Sequence, residues 1–141
     1  MTRSGLRRAL CLIIGLNAGD LAAQPTGLTY DCRMQGHPSH GFVASRLLLS
    51  ISDDGRHGVA FDGIINEVHG RPLDVAVRDL GKGRFRYRWQ LSNIQARSAS
   101  NITATFFANL DTRRQRAKIS VTIHGFENEP RGSGRCSIFK G

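Results

Sequence analysis

Three arginines alternate with aromatic residues in one short run: Arg84, Arg86 and Arg88 against Phe85, Tyr87 and Trp89. A strict period of two puts alternate side chains on opposite faces of a strand, so the arginines share one face and the aromatics the other. Arginine presents a planar, permanently charged fork that fits phosphate or carboxylate. The chemistry expected of this segment is therefore anion binding. Arg78, just before the Gly81-Lys82-Gly83 turn, falls next to Arg86 once the chain reverses there. The plain alternative is solvated charge that keeps a sheet soluble.

Other residues able to do chemistry are sparser. His37 and His40 flank Pro38-Ser39 after Met34, and imidazole with thioether suits copper or zinc. They are weak metal candidates, because no His-Glu-x-x-His helix accompanies them. Nucleophilic catalysis has no Gly-x-Ser-x-Gly signature and no free thiol after export. Gly132-Ser133-Gly134 lacks the Gly-Lys-Ser/Thr ending and the following helix of a phosphate loop. No catalytic residue and no cofactor is assigned, and a non-enzymatic protein is expected. An alternative function uses the aromatic face: Phe85, Tyr87, Trp89 and Phe106 could line a small-ligand pocket, although small barrels are normally filled by such side chains.

The elements that position these residues start after a leader. Arg3, Arg7 and Arg8 precede an apolar run from Ala9 to Leu16, and Ala22-Ala23 precedes Gln24. That order predicts a secretory signal peptide over 1–23 and a single domain over 24–141. The apolar run is far shorter than the ~20 residues that cross a bilayer as a helix, so no transmembrane anchor is expected. Removing 23 of the 141 residues leaves 118, and removing three arginines and one aspartate takes the formal charge from +9 to +7. Cys32 and Cys136 then remain, an even count that predicts one disulfide in an oxidising compartment. A periplasmic or secreted location follows.

Strand patterns fill the remainder. Alternation recurs over Val43–Ile51, Leu73–Val77, Arg84–Leu91, Ile102–Leu110 and Ala117–Ile123, with Gly-, Asp- and Pro-containing turns between. About eight or nine short antiparallel strands are expected, as a β-barrel or β-sandwich whose first and last strands the disulfide joins. Only the leader carries a helix-like apolar run. A hairpin at Gly81–Gly83 with Leu80 opposite Arg84 sets Val77 against Tyr87, Val75 against Trp89, Leu73 against Leu91 and Arg78 against Arg86. A four-residue loop from Asp111 to Arg114 sets Ala108 against Ala117, Phe106 against Ile119, Ala104 against Val121 and Ile102 against Ile123. It also places Phe107 beside Lys118.

Tyr30-Asp31-Cys32, Leu47-Leu48-Leu49-Ser50-Ile51, the stretch from Val59 to Val77, Arg84 to Leu91, and Arg131-Gly132-Ser133-Gly134-Arg135-Cys136 resemble a group of small exported bacterial proteins of unknown function. The resemblance implies a one-domain periplasmic or secreted protein and supplies no catalytic residues. Periplasmic lysozyme-inhibitor barrels share the size and the disulfide. This chain lacks their Ser-Gly-x-x-Tyr segment, and its charge of +7 would repel a basic lysozyme. The expected partner is an anionic envelope component, whether lipid, lipopolysaccharide or glycan, or else an unknown protein. Nucleic acid is not expected: the arginine face has no interleaved aromatics for base stacking, and an exported protein does not meet the genome.

Overall fold

The computed structural model describes residues 27–36 and 41–140. The leader read over 1–23 and the loop bearing His37 and His40 lie outside the described residues.

Eight antiparallel strands follow one another around a closed barrel: β1 (Gly27–Gly36), β2 (Arg46–Ser52), β3 (His57–Asp62), β4 (Leu73–Gly81), β5 (Arg84–Ala96), β6 (Ala99–Asp111), β7 (Arg116–Ile123) and β8 (Arg131–Ile138). Each strand pairs with its neighbours in sequence, and β1 pairs with β8 to close the ring. Closure leaves no strand edge open for pairing with another chain. The choice between barrel and sandwich is thereby decided.

Alternation does the sorting. Leu47, Leu49, Tyr87, Trp89, Leu91, Phe106, Leu110 and Val121 fill the interior, while their odd-numbered or even-numbered strand neighbours face out. Cys32 and Cys136 are direct partners in the β1–β8 ladder and form a disulfide. Both are buried, so the covalent link sits inside the seam where the chain's two ends meet.

The β4–β5 hairpin keeps the expected register where it is paired: Val77 opposes Tyr87 and Arg78 opposes Arg86. At the turn Leu80 does not oppose Arg84. Gly81 does, across a bulge after Asp79, whose Oδ1 accepts from the Gly81 amide at 2.7 Å. At the other end the ladder begins at Ala76–Arg88. On their other side Val75 and Leu73 oppose Gly58 and Ala60 of β3.

The β6–β7 hairpin differs from the expectation by two residues. Asp111 opposes Arg116, so Ala108 meets Ile119, Phe106 meets Val121 and Ala104 meets Ile123. A two-residue slip leaves every side chain on its face, so hydrophobic patterning cannot detect it. The turn decides. Asp111 Oδ1 accepts from the amides of Arg113 and Arg114 at 3.1 and 2.9 Å, and Gln115 takes a left-handed φ of 51°. The loop therefore ends one residue later than the plain count gives. Phe107 consequently lies opposite Ser120 rather than Lys118.

Among the described residues there is also one helix, which the strand patterning did not indicate: α1 (Gly63–His69). Asp62 caps it, its Oδ1 accepting from the Ile65 amide at 2.8 Å. Gly70 ends it at φ 67°, a left-handed conformation that glycine adopts without a Cβ penalty. Ile64 and Ile65 turn inward, and the helix packs on β3 and β5 as a plug at one end of the barrel. Two flanking turn signals within a few residues had masked a seven-residue helix too short to show a full apolar repeat.

Candidate anion-binding surface

The outer face of β5 carries Arg84, Arg86 and Arg88, all exposed, because the inward positions between them are taken by Phe85, Tyr87 and Trp89. On β4, Arg78 stands directly across from Arg86 and is also exposed. The four arginines form one patch. Among the described residues none of the four is in an ion pair.

Neighbouring side chains orient two of them. Arg86 Nε donates to Asn109 Oδ1 on β6 at 3.0 Å. The Arg88 guanidinium lies over the Phe107 ring, 5.8 Å from its centre. This is the cation–π contact on the outer face. Phe107 was expected to meet Lys118; the two-residue difference in the β6–β7 register and the actual β5–β6 pairing of Arg88 with Phe107 give it Arg88 instead. Arg84 opposes Asp111, but that carboxylate is committed to its own turn and sits 3.9 Å from Arg114 Nε. The Arg86 and Arg88 forks are thus held in place, and among the described residues no carboxylate pairs with the patch, a geometry suited to an oxyanion.

The aromatic residues on the other face lie inside. Tyr87 and Phe106 are 0 % exposed and Trp89 3 %, so they form core, with Phe85 half-buried at its edge. Trp89 opposes Phe106, and their rings stack in parallel at 5.4 Å. The Tyr87 ring lies over Gly58, where any Cβ would collide with it. Burial drives the Tyr87 hydroxyl well above the ordinary tyrosine range, with Tyr30 adding to the effect. The Tyr87 hydroxyl and Trp89 Nε1 are buried with no hydrogen-bond partner among the described residues. A cleft of about 600 Å³ does exist, but elsewhere, at the α1 end. Ile64, Ile94, Ile102, Ile123, Phe126 and Arg97 are among its lining residues.

Sequence reasoning overlooked a second basic group. Arg33, Arg46, Arg116 and Arg135 are exposed on four different strands; the β1–β2 and β7–β8 pairings bring them together two by two, and barrel closure joins the two pairs through Arg33 and Arg135. Isolated arginines at wide sequence spacing give no local signal. Arg46 alone of these is neutralised, by a two-pronged contact to Asp31 at 3.0 and 2.9 Å. That contact holds the Asp31 carboxyl below its ordinary range. Among the described residues no group of three or more His, Cys, Asp or Glu is placed to hold a metal ion.

The molecule is thus a small antiparallel barrel, closed by its own disulfide, with a basic outer wall. No protein-family model matches the chain, and comparison with curated proteins finds no match. A solved structure from Burkholderia vietnamiensis, named as a putative beta-lactamase, is similar: TM-score 0.50 and 18% identity over 80% of this chain and 93% of that one. At that identity the likeness concerns the fold alone.

Proposed function

We propose that this chain is an exported, non-enzymatic binding protein that contacts an anionic component of the cell envelope through Arg78, Arg84, Arg86 and Arg88. The observation that carries the reading is the direct opposition of Arg78 and Arg86. Like charges facing each other across a ladder destabilise a sheet. A bound anion removes that repulsion. The buried disulfide and the lack, among the described residues, of a helix able to cross a membrane are compatible with export.

The name of the Burkholderia structure raises β-lactam hydrolysis. This chain does contain a Ser-x-x-Lys spacing, Ser137-Ile138-Phe139-Lys140. In serine enzymes of that class the nucleophile and the lysine must meet, as residues three apart do on a helix. Here Ser137 lies on β8, and the Phe139 amide extends the β1 pairing by donating to the Thr29 carbonyl. An extended chain sends residues three apart to opposite faces. The binding reading therefore stands ahead of it.

The test is retention of the oxidised mature domain on anionic vesicles, lipopolysaccharide and acidic glycan, at low and physiological salt, with neutral vesicles as control. Salt-sensitive retention on an anionic matrix is expected, and its loss in R84Q/R86Q/R88Q. Unchanged retention of the triple variant would overturn the assignment.

A further inference from the structure

The two basic groups are connected. On one outer row Arg116 opposes Arg135, Arg135 opposes Arg33, and Arg33 opposes Arg46. On the next row Arg78 opposes Arg86, Arg86 opposes Asn109, Asn109 opposes Lys118, and Lys118 opposes Ser133. Lys118 lies two residues along β7 from Arg116, on the same face. Basic residues therefore recur from β4 across β8 to β1, interrupted by Asn109 and Ser133 on one row and by Asp111, between Arg84 and Arg116, on the other. Beside Arg86, and flanked along one edge by the Arg116–Arg135–Arg33 row, lies a shallow groove of about 770 Å³, whose outward-facing side chains are Gln35, Asn109, Lys118, Ser120, Arg131 and Ser133.

This composition discriminates between ligands. Arg131 is engaged by Glu129 at 3.1 Å, which among the described residues leaves Lys118 as the unpaired cation lining the groove. Beside it stand two hydroxyls and two carboxamides, which both donate and accept hydrogen bonds. Such groups match sugar hydroxyls, while the flanking arginines match carboxylate or sulfate. Shape excludes a planar partner. β5 and β1 are four strands apart in a ring of eight, on opposite sides of the barrel. A flat membrane reaches one side, whereas a flexible chain follows the curve. Strands lie about 4.8 Å apart, so the path from Arg86 to Arg33 crosses roughly 19 Å of backbone surface, and more at the side-chain tips.

Resting on the anion-binding reading above, we infer that the ligand is a linear acidic polysaccharide. It lies along the β6–β8 groove, held at the β5 end by Arg84, Arg86 and Arg88 and along one flank by Arg116, Arg135 and Arg33. The charge row costs stability in the free protein, so its replacement should not unfold the barrel.

Calorimetry with a size-graded series of linear polyuronate oligosaccharides tests this, beside neutral dextran, inorganic polyphosphate and anionic vesicles. Affinity should rise with polyuronate length to a plateau. R33Q/R116Q/R135Q should weaken the long chain at least about tenfold and flatten its salt dependence, with short-chain binding retained. Lys118→Gln with Ser133→Ala should weaken polyuronate more than polyphosphate. Thermal melts at or above the parent value confirm folding. Vesicle binding without polyuronate binding would overturn this inference and leave the anion-binding reading standing. So would full polyuronate affinity in R33Q/R116Q/R135Q, or equal losses for polyuronate and polyphosphate in the groove variant. Binding to none of the probes would overturn both.

Discussion

Arg78 and Arg86 face each other as direct partners of the β4–β5 ladder, and both point away from the barrel. The repulsion between them is a stability cost, and it sits where the anion site is proposed. Removing it should therefore move stability and binding in opposite directions. Arg78→Glu creates an opposite-charge pair, with an expected gain of about 0.2–1 kcal/mol in urea unfolding. Retention on an anionic matrix should fall in the same variant. A gain in stability with undiminished retention would place Arg78 outside the site.

The disulfide closes a loop of 104 residues and lies in the closing seam of the barrel. Chain-entropy reasoning gives an upper figure of about 4.7 kcal/mol for such a loop, and typical measured values are about 2–4 kcal/mol. Replacing Cys32 and Cys136 together by Ala should cost that smaller amount in urea unfolding. Reducing agent should lower the parent's midpoint and leave the variant's unchanged. A loss below about 1 kcal/mol would mean that the β1–β8 hydrogen bonds hold the seam alone.

Asp62 couples the cap of α1 to pH. Burial raises its carboxyl above the ordinary range, while the Ile65 and Ile64 amides pull the other way. A raised value means that the native state binds the proton more tightly than the unfolded chain. Asp62 then contributes most at acid pH, and the contribution is lost as pH rises through the native value. Asp31 and Asp54, held low by their partners, act in the opposite sense. The difference between variant and parent isolates Asp62. Asp62→Asn keeps a capping oxygen, so its stability relative to the parent should improve between pH 3 and pH 7. Asp62→Ala should lose about 1 kcal/mol through the missing cap. A pH-independent difference for Asp62→Asn would show that the carboxyl binds its proton equally well in the native and unfolded chains, against the raised value.

Trp89 is the protein's one tryptophan and stacks on Phe106 in the core. Its emission should be blue-shifted and should not move when apolar ligands are added. Phe106→Ala should red-shift it and cost about 3–5 kcal/mol. A ligand-induced shift in the parent would instead revive the barrel-pocket reading, with an acceptor on the ligand reaching Trp89 Nε1.

Much of this was legible in the residues themselves. Period-two alternation determined the all-β class, the buried aromatic face and the outward arginines of β5, because a strand offers its side chains two faces only. Cys32 and Cys136, the two cysteines left once the predicted leader is set aside, determined the bond between the first and last strands. The Gly81–Gly83 turn determined that Val77 meets Tyr87 and Arg78 meets Arg86. Tertiary structure decided what depends on closure or on local turn geometry. Patterning is blind to a two-residue slip, so only the capping by Asp111 and the left-handed Gln115 set the β6–β7 register and put Ser120 rather than Lys118 opposite Phe107, while the β5–β6 pairing brought Arg88 onto its ring. The helix after Asp62 needed a barrel end to plug before its two isoleucines had anywhere to go. Arg33, Arg116 and Arg135 lie far apart along the chain. They became one row only when β1 paired with β8, since cross-strand adjacency is a property of the closed ladder.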